Sequence, residues 1–155
     1  MRVLLIGNSG AGKSTLARAL AGTHALEHLD LDTLVWEPDQ PATARPAEVV
    51  RAEVLSWAQG RARWVVEGCY GELIEALLPL ASELRFLNPG LAACLAHNRA
   101  RPWEPHKYPS KAAQDAMLEP LLLWTAGYYT RDDAWSYAAH RRIYDAFAGA
   151  KREIT

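Results

Sequence analysis

The sequence predicts an α/β domain built on a mainly parallel sheet, and three observations carry that expectation. Short β-rich runs alternate with helical stretches along the chain, the pattern of strands joined by right-handed crossovers. Residues 2–6 are an unbroken apolar run ending in Gly7, as suits a strand buried on both faces. A glycine-rich turn then leads straight into residues 13–21, which are helical in pattern and followed by Gly22.

The other elements follow in order. Residues 26–29 read as a short second strand running into Asp30. Pro46 opens a helix over 46–59, in which Val49, Val50, Val54, Leu55, Trp57 and Ala58 supply the apolar positions. Residues 63–67 are a third strand, 71–78 a helix, 83–87 a fourth strand and 90–100 a helix. A further helix over 111–127 is expected to be interrupted at Pro120. Residues 133–148 form the last helix, ended by Gly149, and 152–155 a fifth strand. The Pro-rich segments at 37–46 and 101–109 read as loops, because the stretches between them are too short to fold alone. The 155 residues therefore make one domain.

Composition narrows the function classes. Half the residues are hydrophobic and 23% are charged, which excludes a disordered chain. Lys and Arg number 17 against 18 Asp and Glu, so no basic field exists of the strength needed to coat nucleic acid. No apolar run approaches the ~20 residues that span a bilayer; the longest, Leu121-Leu122-Leu123-Trp124, is short. Residues 1–7 lack a secretory h-region with a cleavage site. Two cysteines, Cys69 and Cys94, make neither a disulfide framework nor a zinc site. The expected setting is cytoplasmic and reduced.

The segment Gly7-Asn8-Ser9-Gly10-Ala11-Gly12-Lys13-Ser14 fits G-x-x-x-x-G-K-[ST] between a strand and a helix, the context that gives the motif its meaning. Glycines let successive backbone N–H groups turn inward onto phosphate oxygens, and the helix N-terminus adds partial positive charge. Lys13 is expected at the β- and γ-phosphates, Ser14 at Mg²⁺ and Thr15 at the α-phosphate. A nucleoside triphosphate, ATP with Mg²⁺, is the implied ligand.

Acids come next. Asp30 and Asp32 lie at the carboxyl edge of the second strand, where parallel α/β sheets bind ligands; as strand positions i and i+2 they would point to one side. One would hold Mg²⁺ and the other position an acceptor hydroxyl. Glu67 ends the third strand and is a further candidate for the metal. Thus Ser14, Asp30 and Glu67 form the expected metal set. Gly68 and Gly71 are expected to allow close approach of the acceptor or to form an ordinary turn. Positive charge for the transferred group is expected from Arg99 and Arg101, followed by His106 and Lys107 on a Pro-stiffened loop that reads as a closing lid. Of the later cations Arg131, His140, Arg141 and Arg142, Arg131 is the one expected near the site. Trp36, Trp57, Trp64 and Trp124 are expected in the core; Trp36 and Trp103 are also candidates to line a pocket.

The segments Gly7–Thr15, Leu31-Asp32-Thr33-Leu34-Val35-Trp36, Trp64-Val65-Val66-Glu67-Gly68-Cys69-Tyr70 and Leu84-Arg85-Phe86-Leu87-Asn88-Pro89 resemble the adenylate-kinase-related small P-loop kinases known as DNA topology modulation proteins. The resemblance covers roughly residues 1–101. It implies a nucleoside-monophosphate-kinase-like fold, a five-stranded parallel sheet in the order 2-3-1-4-5 with helices on both faces, an acceptor-side insert over about 33–62 and a lid over about 99–112. It also makes Asp32 the acceptor-site acid and Arg99 a lid arginine. The chain departs from that family's pattern at Glu67-Gly68-Cys69-Tyr70, where Asp-Gly-Asn-Tyr is usual, and at Asn88-Pro89, where an acid usually ends the fourth strand. The spacing of Asp30 and Asp32 after Lys13 is also similar to that of shikimate kinases, but their glycine run after the third strand is missing here.

The expected activity is ATP-dependent phosphoryl transfer to a small-molecule acceptor, with Lys13, Asp32, Arg99 and Arg101 as the catalytic set and Gly7, Asn8, Ser9, Gly10, Ala11, Gly12, Lys13, Ser14 and Thr15 holding the nucleotide. Arg45, Arg51, Arg61 and Arg63 around the acceptor-side helix favour a nucleotide acceptor. A shikimate- or gluconate-type hydroxy-metabolite kinase and a slow ATPase switch acting through a partner are the alternatives; the missing acid at Asn88 favours the switch. No Asn-Lys-x-Asp segment argues for a GTPase. Oligomeric state is not legible.

Overall fold

The computed structural model describes residues 1–38 and 40–155, leaving aside the side chains of Pro41 and Ala42. Five parallel strands form the central sheet: β1 (Arg2–Gly7), β2 (Glu27–Asp30), β5 (Trp64–Gly68), β6 (Glu83–Leu87) and β7 (Ala150–Ile154). Their spatial order is β2-β5-β1-β6-β7, with β2 and β7 at the two edges. A separate antiparallel pair, β3 (Trp36–Glu37) and β4 (Gln40–Ala44), stands between β2 and β5 in sequence. Setting that pair aside, the order is 2-3-1-4-5, as expected.

β1 lies at the centre because it can be buried on both faces: Val3, Leu4, Leu5 and Ile6 are all fully inaccessible. Its alternate side chains feed two cores. Leu4 and Ile6 join Trp64, Val66, Ile74, Leu77, Leu84 and Phe86 under α3 (Ala47–Gln59), α4 (Gly71–Leu77) and α8 (Tyr137–Ala146). Val3 and Leu5 meet Ala17, Leu20, Val65 and Cys94 beneath α1 (Lys13–His24) and α5 (Leu91–Arg99). Period-two alternation thus holds helices on both faces of one sheet.

Several boundaries differ from the expected ones, each for a local reason. Helix α1 runs through Gly22 to His24 and is closed by Ala25, which takes the left-handed conformation at φ 50°. A short helix α2 (Asp32–Val35) follows β2, and the β3–β4 pair takes up part of the 37–46 segment that reads as loop. The 111–127 helix is two: α6 (Lys111–Ala116) and α7 (Leu118–Ala126). They part at Met117, whereas Pro120 sits in the first turn of α7, where a missing N–H costs nothing. Helix α8 begins four residues late because Ser136 caps it, accepting a hydrogen bond from the Ala139 amide. Of the four tryptophans expected in the core, Trp64 alone is fully buried; Trp36, Trp57 and Trp124 are half-buried. Among the described residues no helix is long and apolar enough to cross a membrane.

Candidate active site

The glycine-rich turn stands where β1 meets α1, in the backbone form that its sequence requires. Gly10 and Gly12 take φ values of 76° and 94°, which side chains rarely adopt, and a Cβ at Gly10 would strike the Cys94 carbonyl oxygen. Helix α1 has no side-chain cap at Gly12, so its first amides remain for a ligand. The turn is braced from behind. Asn8, 1% exposed, accepts from the Ser9 amide and donates to the Thr125 carbonyl at 3.1 Å. Buried Asn98 accepts from Ser9 Oγ and donates to Thr125 Oγ1. His97 Nδ1 lies 2.7 Å from the Gly10 carbonyl oxygen. Helices α5 and α7 therefore set the shape of the loop. Lys13 is folded over it, its Nζ donating to the carbonyls of Gly7 (3.1 Å) and Asn8 (2.8 Å).

The acids do gather at the carboxyl edge of the sheet, but not through strand alternation. Strand β2 ends at Asp30, and Asp32 is the first residue of α2. Asp30 also makes a local turn contact: its Oδ1 accepts from the Asp32 amide at 3.0 Å. Asp32 is oriented by Tyr70, whose hydroxyl donates to Oδ1 at 2.5 Å while accepting from Trp36 Nε1 at 2.8 Å. Trp36 therefore has a placing role in addition to its packing. Glu67, 2% exposed, lies beside Asp30 across the β2–β5 register. His28 Nε2 is 3.3 Å from Glu67 Oε1. Burial opposes ionisation of Glu67, but the His28 contact, the charge of Lys13 and the Ser14 hydroxyl together hold its carboxyl below the usual range.

Lys107 is the residue that sequence reasoning left out of the catalytic set. From the loop between α5 and α6 its Nζ reaches Asp30 Oδ2 at 3.0 Å, Asp32 Oδ2 at 2.9 Å and Glu104 Oε1 at 3.7 Å. Burial works against the ammonium, yet Asp32 and Asp30 raise its pKa. In the acid pair the outcome splits. Burial and the neighbouring Asp32 raise Asp30, whereas Asp32, burial notwithstanding, is lowered by the Lys107 charge and the hydrogen bonds from Tyr70 and Lys107. The signal for Lys107 is its place on a Pro-stiffened loop; what the sequence does not show is that it reaches back across 75 residues to Asp32, and to Asp30 beside it.

The arginines expected on the lid stand at its start, and neither touches the acid pair or the phosphate loop's Lys13. Arg99 is exposed at the end of α5. Arg101 donates to Asn98 Oδ1 at 2.7 Å and pairs with Glu104 at 3.4 Å. Arg131 is structural: it lies over the Trp124 ring and donates to the carbonyls of Trp124 and Trp135. His140 is fully buried between Tyr128 and the Cys69 carbonyl, and Arg141 pairs with Asp145 and Glu153. Gly68 and Gly71 serve packing, since a Cβ would press on Leu31 or strike the Ala134 carbonyl. Asn88 bonds to Glu153 and Tyr129, so the feature that favoured a switch has a structural use.

A cleft of about 300 Å³ opens beside the loop, lined by Ser14, Arg18, His28, Asp30, Glu67 and His106 among others. Ser14, Asp30 and Glu67 offer hard oxygen donors on its wall, the chemistry that Mg²⁺ takes together with phosphate oxygens. Among the described residues no group of three His, Cys, Asp or Glu side chains forms a self-contained metal cage. A metal here would depend on its nucleotide for the remaining donors.

No family model matches the chain, and no curated protein sequence matches it. Solved structures share its architecture. A shikimate kinase from Aquifex aeolicus, 17% identical, superposes with a TM-score of 0.54 over 99% of this chain and 86% of its own. A sugar kinase from a Janibacter species, 14% identical, gives 0.58 over 99% and 83%. A shikimate kinase from Bacteroides thetaiotaomicron, 20% identical, gives 0.52 over 94% and 97%. The chain has the α/β fold of small P-loop kinases.

Proposed function

We propose that the chain is an ATP-dependent, Mg²⁺-requiring kinase that passes the γ-phosphoryl group to a hydroxyl of a small molecule. One observation carries the reading: the Gly7–Thr15 loop with Lys13 and the Asp30–Asp32 pair meet at one sheet edge, with Lys107 reaching across from the loop over residues 101–110. In the transfer, the acceptor oxygen attacks the γ-phosphorus. The new O–P bond forms as the bond to the β,γ-bridging oxygen breaks, and that electron pair leaves with ADP. Asp32 orients the acceptor hydroxyl and takes its proton, with Tyr70 fixing the carboxylate. Loop amides and Lys13 hold the phosphates. Bound at Ser14, Asp30 and Glu67, Mg²⁺ would supply charge neutralisation on the phosphate oxygens.

Residues 33–62 are assigned to the acceptor side and 99–112 to the lid of this single domain. Lys107 fastens the lid, and Arg99 and Arg101 place positive charge at its root. The likeness to kinases of shikimate and sugars supports a hydroxyl acceptor over a nucleotide phosphate. So does the use made of three arginines that favoured a nucleotide: Arg45 is held by Glu53 and the Leu34 carbonyl, Arg61 by Glu27 and the Trp57 carbonyl, and Arg63 by the His24 carbonyl. Within the small P-loop kinases we place the chain beside the DNA topology modulation proteins, on the Leu31–Trp36 and Trp64–Tyr70 segments, and in the cytoplasm.

A coupled assay of ADP release, run over nucleoside monophosphates, sugars, cyclitols and hydroxy acids, tests the proposal. Acceptor-stimulated turnover is expected with a hydroxyl compound. ADP release identical with and without every acceptor refutes it.

A further inference from the structure

We infer that Lys107 is a built-in counter-ion for the Asp30–Asp32 pair, one that bars free divalent metal from the empty site and yields its place only to metal arriving with the nucleotide. The inference rests on the kinase reading above and concerns the same site. Lys107 is then the residue that makes the site selective for a metal–nucleotide complex over the metal alone.

Every oxygen of the two acids already has a partner. Asp30 Oδ1 accepts from the Asp32 amide at 3.0 Å, and Oδ2 meets Lys107 Nζ at 3.0 Å. Asp32 Oδ1 accepts from the Tyr70 hydroxyl at 2.5 Å, and Oδ2 from Lys107 at 2.9 Å. Glu104 Oε1 stands 3.7 Å from the same nitrogen. The ammonium is thus ringed by three carboxylates, as a bound cation would be. Its side chain and that of Asp30 are each only 15% exposed. A second cation drawn to Asp30 would come within a few ångströms of the first, where water screens weakly and like charges repel strongly.

Free Mg²⁺ brings nothing that removes the lysine. It holds its waters tightly and offers a displaced ammonium no partner. A nucleotide supplies both parts of the exchange: phosphate oxygens complete the metal's donors and give the ammonium new anionic partners. The lysine is also free to travel with its loop. Residues 101–110 form neither helix nor strand. Their turn is held from within, since the Lys107 amide donates to the Glu104 carbonyl at 2.9 Å and Trp103 Nε1 to the Tyr108 carbonyl at 3.1 Å. The Lys107 head group is the ion-paired tie from this loop to the sheet edge, and releasing it leaves the turn intact.

Mn²⁺, read by electron paramagnetic resonance, tests the inference on the full chain without nucleotide. The wild type and Lys107→Arg, which keeps the charge, are expected to exclude it. Lys107→Met is expected to bind it at least about ten-fold more tightly than either. Adding Asp30→Asn to Lys107→Met is expected to abolish the gain. A second measurement uses no variant that leaves the acids unpaired. The Lys107 ammonium signal in heteronuclear NMR, assigned by its loss in Lys107→Arg, is expected to stay in place with Mg²⁺ alone and to shift with Mg²⁺ plus a non-hydrolysable ATP analogue. Equal Mn²⁺ binding by the wild type and Lys107→Met overturns the inference. So does a gain that survives Asp30→Asn, an ammonium signal that moves with Mg²⁺ alone, or one that stays put when the analogue is bound. An analogue that gives no heat in calorimetry marks instead the failure of the kinase reading, and the Mn²⁺ comparison still decides the role of Lys107.

Discussion

Asp32 and Lys13 illustrate how two charged residues on one site answer to different neighbours. Lys13 is held by the carbonyls of the loop it serves, so its removal should strike the triphosphate first. Lys13→Ala is expected to weaken ATP binding by at least about a hundred-fold in calorimetry, the scale of a lost charge-assisted phosphate contact. Asp32 is oriented by Tyr70 and Lys107. Asp32→Asn keeps the shape and removes the proton acceptor. ATP affinity should stay within about two-fold while kcat falls by about a hundred-fold or more; unaltered kcat would remove Asp32 from its assigned role. Gly10 shows the same economy in the backbone. A Cβ there meets both a left-handed φ and the Cys94 carbonyl, so Gly10→Ala should lower unfolding free energy by about 2–4 kcal/mol in urea titration.

At the scale of elements, the lid is the part whose position depends most on a few polar contacts. The segment between α5 and α6 carries exposed Trp103 and His106, and Lys107 fixes it to the acceptor acids. Lys107→Met should free it. Amide exchange over residues 101–110 is expected to quicken by about ten-fold, with β1 and β5 unchanged. Much about these elements was legible beforehand. The 2–6 run, the 83–87 strand and the glycine-rich turn are encoded by continuous apolar stretches and by glycines at fixed offsets, both local signals. The short helix α2 and the β3–β4 pair were not, since Asp32–Val35 offers a single turn and Trp36–Glu37 pairs only through a register irregularity. The placing of Lys107, Tyr70 and Asn98 was also hidden, because each acts on a partner 27 to 89 residues away. The same limit hides the use of Arg61 and Arg63, whose partners Glu27 and the His24 carbonyl lie 34 and 39 residues away; Arg45 and Arg131 are taken up by nearer groups, Glu53 and the Trp124 and Trp135 carbonyls, which only the folded turn of the chain brings round to them.

For the molecule as a whole, pH acts through His140. Burial lowers its pKa from the ordinary 6.5 to about 3, and its neutral ring joins Tyr128 to the Cys69 carbonyl. The unfolded chain takes up this proton near pH 6.5 and the folded one does not until about pH 3. The contribution is therefore complete above 6.5 and shrinks as pH falls through that window, by up to about 1.4 kcal/mol per pH unit. Urea midpoints of the wild type should drop between pH 7 and pH 5. In His140→Gln, less stable at pH 7, that drop should be smaller; an equal slope in both proteins would assign the acid sensitivity to other groups.

The outermost strand β7 has one neighbour, β6, and shows Lys151 and Arg152 to solvent with Glu153 beside them. On the opposite rim, β2 is four residues long and begins at exposed Glu27. Neither margin offers the flat, uncharged ribbon on which a stray strand would dock, so the parallel sheet has a built-in guard against open-ended growth into aggregates. Exchanging Lys151 and Arg152 for valine would strip that guard while leaving the phosphate loop, which follows β1 two strands away, unaware of the change.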